Sequence, residues 1–175
     1  MFTRELRAFS FDEVTPVTRI ASLSSGDQPN RRYGDNHMTE SLPVLVVEDQ
    51  EILLAFLKTA LERSGLKIVA ASSGAEALGL LAQRKFAGIV SDLKIPGGIG
   101  GAEIFDWVQE NRPELSPCFL FITGNMSDPY AVEIQKRTGA LFIEKPFKIA
   151  LLIELIKKIM SRNAQSGLGL APETS

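Results

Sequence analysis

From residue 42 to residue 160 the chain switches repeatedly between two hydrophobic periods. Pro43-Val44-Leu45-Val46-Val47 is an unbroken aliphatic run, the pattern of a strand buried on both faces, and Glu48-Asp49 ends it. Ile52, Leu53, Phe56, Leu57, Ala60 and Leu61 then recur at helical spacing, and Ser64-Gly65 supplies a glycine suited to a left-handed stop. Lys67-Ile68-Val69-Ala70 reads as a second strand. Ser73 with Glu76 three residues later is a capping-box pattern before the helix of Ala77, Leu78, Leu80 and Leu81. A third strand is predicted over Phe86 to Ser91, delivering Asp92 into a Pro/Gly-rich loop. A helix follows from about Gly101 to Asn111, stopped near Pro113. Cys118 to Ile122 is the fourth strand. Asp128-Pro129 caps and opens a helix to Thr138-Gly139, Ala140 to Ile143 is the fifth strand, and Lys148 to Met160 is the last helix.

Five strands alternating with five helices predict an α/β fold with a parallel sheet and helices on both faces. The doubly wound, flavodoxin-like order 2-1-3-4-5 places the first and third strands side by side at the topological switch point. Residues 1–41 differ: Ser22 to Asn36 is Ser/Gly/Pro/Asn/Asp-rich without periodicity, an extension or linker. Its five basic and six acidic residues nearly balance, so it is not a basic arm for nucleic acid. The polar stretch 161–175 is expected to be a flexible tail.

Composition adds exclusions. With 45% apolar and 23% charged residues, the 175-residue chain can bury a full core, and a net charge of −2 gives no field toward nucleic acid or an anionic membrane. A single cysteine, Cys118, excludes an internal disulfide, and it sits in an apolar run as a small core residue. The lone His37 has no Cys nearby, which argues against zinc. No run of 18 apolar residues and no leader-like segment is present, so a cytoplasmic location is expected.

The candidate chemistry lies at the strand ends. Glu48 and Asp49 close the first strand and Asp92 the third, and carboxylates gathered at one switch point repel unless a cation intervenes. A hard divalent ion, Mg²⁺, suits oxygen ligands better than zinc does. The fourth strand adds the Thr123 hydroxyl before Gly124, and the fifth adds Lys145 between Glu144 and Pro146. Together these compose a site for a phosphoryl group on Asp92: a nucleophile, a metal, an ammonium and a hydroxyl donor. Each feature alone is ordinary. Acids at a strand-to-helix junction often cap the helix, and an Asp before Pro/Gly often only turns the chain. Their placement at four different strand ends of one sheet is what points to a common site.

Glu48-Asp49, Ser91-Asp92-Leu93-Lys94-Ile95-Pro96-Gly97, Ile122-Thr123-Gly124 and Glu144-Lys145-Pro146-Phe147 resemble the receiver (response-regulator) domain of two-component signalling. The resemblance covers residues 42–160. It implies Asp92 as phospho-acceptor and Mg²⁺ held by Glu48, Asp49, Asp92 and the backbone carbonyl of Lys94. It further implies Thr123 and Lys145 as ligands to phosphoryl oxygens, and Phe142 as the aromatic switch that moves with Thr123. The implied donor is a histidine kinase or histidine phosphotransfer protein, the output a downstream protein contact or onward phosphorelay, and the chain a signalling protein rather than an enzyme.

Two departures stand out. Gly100 occupies a place where the family often has an acidic residue, and Gly97 to Gly101 is unusually glycine-rich, implying a mobile loop. Lys94, two residues past the acceptor, sits where its side chain can face the attacking water. On the last helix, Leu152, Leu155, Ile156 and Ile159 form a core stripe, while Ile149, Ile153 and Met160 widen it. That flank is either extra core or a partner surface, including a homodimer through the last helix and fifth strand. Competing readings are a phosphorylation-independent pseudo-receiver and an Mg²⁺-dependent aspartyl-nucleophile phosphatase. The phosphatase needs an Asp-x-Asp pair where Asp49-Gln50-Glu51 stands. A nucleotide or flavin site would need a Gly-rich first loop in place of Glu48-Asp49-Gln50.

Overall fold

The computed structural model describes residues 42–166, so the expectations for residues 1–41 and for 167–175 lie outside the described residues. The elements in chain order are β1 (Val44–Val47), α1 (Glu51–Arg63), β2 (Ile68–Ala71), α2 (Gly74–Gln83), β3 (Gly88–Asp92), α3 (Gly101–Asn111), β4 (Phe119–Thr123), α4 (Pro129–Thr138), β5 (Leu141–Glu144) and α5 (Ile149–Ser166). All four strand pairings are parallel and the order is β2-β1-β3-β4-β5, as the alternation of periods predicts.

Every residue of the three central strands is buried, whereas edge strands β2 and β5 are half-buried in part. Period-two alternation then splits the core. Leu45, Val47, Ile89, Phe119 and Phe121 face Ala77 and Leu81 of α2, Ile104, Phe105 and Val108 of α3, and Ala131 and Ile134 of α4. Val44, Val46, Val90, Leu120 and Ile122 face Leu57 and Leu61 of α1 and Leu152, Ile156 and Ile159 of α5. Phe105, Phe119, Phe121 and Phe142 form a connected ring cluster on the first face, with neighbouring centroids 4.6–5.9 Å apart.

The predicted caps form. Ser73 Oγ accepts from the Glu76 backbone N–H at 3.2 Å, while the Glu76 carboxylate reaches back to the Ser72 N–H at 2.8 Å. Asp128 caps α4, and Gly139 ends that helix at φ +62°. Three details depart from the sequence reading. Ile52 and Phe56, expected in the α1 core stripe, are 89% and 57% exposed; the sheet takes Leu57 and Leu61 instead. A 3₁₀ turn over Pro113–Cys118 precedes β4, delaying the strand to Phe119. Helix α5 continues past Met160 to Ser166, so the stretch expected to begin a flexible tail at Ser161 is helical for six residues. Ser161-Arg162-Asn163-Ala164-Gln165-Ser166 holds no Pro or Gly, and the first breaker is Gly167. Ile149, Ile153 and Met160 are half-buried against the α1/α5 core, a broadened core face.

Candidate functional site

Backbone hydrogen bonds carry the ladder past the strand ends and bring the polar residues into one place. The Glu48 N–H donates to Ala71 O at 3.1 Å, the Leu93 N–H to Ile122 O at 2.8 Å and the Lys145 N–H to Thr123 O at 2.8 Å. With the pairing of Val47 and Ser91 between β1 and β3, these bonds hold the C-terminal ends of all five strands in register, the rim at which an open parallel sheet presents its ligand-binding crevice.

At that rim, carboxylate oxygens of Glu48, Asp49 and Asp92 lie within 4.8 Å of one another. Lys145 reaches across from β5: its Nζ donates to Asp92 Oδ2 at 2.5 Å and to Glu48 Oε2 at 2.8 Å. Glu48 is fully buried, and Asp92 nearly so. Burial pushes the Glu48 carboxyl above its usual range, an effect that Lys145 opposes. Burial also works against the Lys145 ammonium, but its hydrogen bonds to Asp92 and Glu48 outweigh that and hold it above the ordinary lysine value. Lys145 is therefore charged throughout the neutral range. One ammonium facing three carboxylates leaves negative charge uncompensated. With oxygen donors only, this set fits a hard divalent cation such as Mg²⁺.

The acceptor strand is anchored from behind. Ser91 Oγ donates to the Asp92 carbonyl at 2.9 Å, and α3 begins directly against that carbonyl. A Cβ at Gly101 would stand 2.5 Å from Asp92 O and 3.1 Å from Ser91 Oγ, so only glycine allows this approach. In the loop between, Gly97 and Gly98 both take φ +100°.

The remaining predicted residues are placed as follows. Thr123 is buried; its hydroxyl lies 3.4 Å from the Asn125 carbonyl, to which it donates, and accepts from the Asn125 N–H at 3.3 Å. Phe142 is half-buried, its ring 4.8 Å from that of Phe121 on the neighbouring strand. The Lys94 N–H donates to Asp92 Oδ1 at 3.0 Å. The Lys94 side chain, read from the sequence as able to face the attacking water, is paired with the carboxylate of Asp128 and lies 5.9 Å from the centre of the Tyr130 ring. Sequence reading took Asp128 as a cap alone and missed this pairing. It also missed Glu144, whose Oε1 accepts from the Met126 N–H at 3.0 Å and ties the β4–α4 loop to β5. Among the described residues, no helix is long and apolar enough to cross a membrane.

Comparison with known proteins agrees with this arrangement. Residues 44–157 match the response regulator receiver domain model. The transcriptional regulatory protein FixJ of Azorhizobium caulinodans is 33% identical over 130 residues, covering 74% of this chain and 60% of FixJ. The chain thus spans less than two thirds of that relative. The polar-differentiation response regulator DivK of Brucella ovis is 26% identical, covering 70% of this chain and 98% of DivK. A CheY-like response regulator receiver domain protein from Methanospirillum hungatei shares the fold, with a TM-score of 0.65 and 24% identity over 73% of this chain and 99% of its own. With a match of this extent laid over a five-stranded sheet whose acidic rim faces a lysine, the chain belongs to the response regulator receiver family of two-component signalling.

Proposed function

We propose that this chain accepts a phosphoryl group on Asp92 from a histidine kinase or histidine phosphotransfer protein and transmits the event through protein contacts. The single observation that carries this reading is the Lys145 ammonium bridging Asp92 and Glu48, with Asp49 in the same carboxylate cluster. A carboxylate oxygen held beside a fixed cation, at the mouth of an acidic crevice, is arranged to receive and stabilise an added dianionic group.

In this reading Glu48, Asp49, Asp92 and the Lys94 carbonyl hold Mg²⁺, which supplies charge neutralisation at the phosphoryl oxygens. Asp92 attacks the donor phosphorus; the new O–P bond forms as the P–N bond to the donor imidazole breaks, and that electron pair leaves with the imidazole. Lys145 stays protonated and pairs with a phosphoryl oxygen. The Thr123 hydroxyl exchanges its Asn125 partner for another, and the Phe142 ring follows it inward. The change then spreads over α4, β5 and α5, the face on which a downstream partner or a second copy docks. No external substrate is turned over. We assign this function to residues 42–160, with residues 1–41 as an extension and a cytoplasmic setting.

The test is direct. The chain incubated with acetyl phosphate and Mg²⁺ is expected to gain about 80 Da, one phosphoryl group. Asp92→Asn should abolish the gain and EDTA should suppress it. A wild-type chain that stays unmodified, or an adduct that persists in Asp92→Asn, would overturn the assignment. Steady hydrolysis of a generic phosphate monoester would favour a phosphatase instead.

A further inference from the structure

Glu144, the last residue of β5, takes no part in the chemistry above, yet its side chain is engaged. It is exposed, it stands opposite Thr123 in the β4–β5 register, and its Oε1 accepts from the Met126 N–H at 3.0 Å. Met126 lies inside a turn that is hydrogen-bonded to itself. Asn125 Oδ1 accepts from the Ser127 N–H at 2.8 Å, and the Asn125 carbonyl accepts from the Asp128 N–H at 3.3 Å. Residues 125–128 therefore form one unit, which ends at the cap of α4. Two side chains hold that unit from the sheet. The Thr123 hydroxyl does so from β4, through bonds of 3.3 and 3.4 Å that are long for their kind. Glu144 does so from β5, through a shorter bond from an N–H to a carboxylate oxygen, the stronger kind.

We propose that Glu144 is a positioning residue for the phosphoryl site: its bond to Met126 latches the 125–128 turn in the arrangement that keeps the Thr123 hydroxyl on Asn125, and the latch opens when Asp92 carries a phosphoryl group. The inference rests on Asp92 being the phospho-acceptor and Thr123 a ligand to the group it carries. The Thr123 hydroxyl has one proton to donate, and the Asn125 carbonyl receives it, so a phosphoryl oxygen competes with the turn for that proton. The Thr123 main chain is fixed, because its carbonyl takes the Lys145 N–H at 2.8 Å. What gives way is the turn. Gly124 joins it to the strand, and a Cβ there would meet nothing within 4 Å, so no wall blocks its movement. A latch at the surface suits a reversible change. Water replaces the lost partner, and opening costs only the small net value of one exposed hydrogen bond. When a ligand binds the open turn, its apparent affinity scales with the fraction of molecules already open, so a weaker latch means tighter binding.

The experiment uses the full chain with saturating Mg²⁺ and beryllofluoride, a tetrahedral stand-in for the phosphoryl group. Its Kd is measured by calorimetry for wild type, Glu144→Ala, Glu144→Gln and Asp92→Asn, and the Met126 amide is followed by NMR hydrogen exchange. The expected result is binding tightened about fivefold in Glu144→Ala, the scale of one modest hydrogen bond. Glu144→Gln should gain less, since its amide oxygen still accepts. Structural damage would weaken binding, not tighten it, and circular dichroism should show unchanged helix content. In the wild type, the Met126 amide should exchange slowly in the free chain and lose that protection when beryllofluoride binds, a reading that needs no variant. A Met126 amide that keeps its protection in the complex overturns the latch, as does a Glu144→Ala chain that binds no tighter than wild type. Equal gains in Glu144→Ala and Glu144→Gln overturn it too, since they would trace to lost charge alone. A wild-type chain that takes up no beryllofluoride, or no more than Asp92→Asn, would instead bring down the phospho-acceptor reading, and the latch with it.

Discussion

Asp92 is constrained through its backbone as well as its side chain. Its carbonyl receives the Ser91 hydroxyl and lies under Gly101, while its two carboxylate oxygens are bonded to the Lys94 N–H and the Lys145 ammonium. Gly101→Ala would drive a methyl group into a backbone carbonyl that cannot rotate away, because β3 is paired on both sides. The expected cost is about 1–3 kcal/mol, the range for overpacking, measured by urea unfolding. A loss within experimental error would show that α3 can simply slide outward. At Asp128, the hydrogen bond from Lys94, and then that from Tyr130, lower the carboxyl pKa below its ordinary value. A depressed folded-state value means that the charged pairing is complete above the ordinary carboxylate range and is lost only as pH falls through the lower value. The carboxyl ¹³C shift of Asp128 should therefore be flat between pH 6 and pH 8. A shift that titrates across that window would show that the carboxyl is not held low by Lys94 and Tyr130.

Among the elements, α1 shows how a hydrophobic pattern can be right about a helix and wrong about its buried face. Ile52, Leu53, Phe56, Leu57, Ala60 and Leu61 all satisfy helical spacing, but a helix lying on a twisted sheet buries only one stripe. Leu57 and Leu61 fall on that stripe, while Ile52 and Phe56 project outward, one turn apart. Ile52→Ser with Phe56→Ser should thus change unfolding free energy by no more than about 0.5 kcal/mol each, as at other exposed positions. Leu57→Ala should cost about 2–5 kcal/mol. Equal costs at the two sites would mean that something covers the outer face in solution. The end of α5 and the 3₁₀ turn before β4 escaped sequence reading for a related reason. Neither carries a strong periodic signal: residues 161–166 simply lack a helix breaker, and the turn follows from the pair Pro113 and Pro117.

For the molecule as a whole, the site joins parts of the chain that lie far apart in sequence: Glu48 and Asp49 after β1, Asp92 on β3 and Lys145 after β5. A ligand bound by residues from separate strands, and not by the unfolded chain, stabilises the fold by mass action. Under the Mg²⁺ reading, saturating the ion at 100 times its Kd should add about 2.7 kcal/mol, seen as a higher Tm without any phosphodonor. Asp49→Asn should remove most of that increase. A Tm indifferent to Mg²⁺ would separate the carboxylate cluster from metal binding.

By itself, the sequence determined the alternation of strands and helices, the caps at Ser73 and Asp128, and the position of each polar residue at a strand end. These are local matters of hydrophobic period, turn chemistry and propensity, read over a few neighbouring residues. Only the tertiary structure decided which side chains meet: that Lys145 spans Glu48 and Asp92, that Lys94 turns to Asp128, and that Phe56 stays outside while Leu57 goes in. Such choices depend on how the parallel strands stack, which helix face meets the sheet and which rotamers the close packing leaves open. No one-dimensional pattern contains that information.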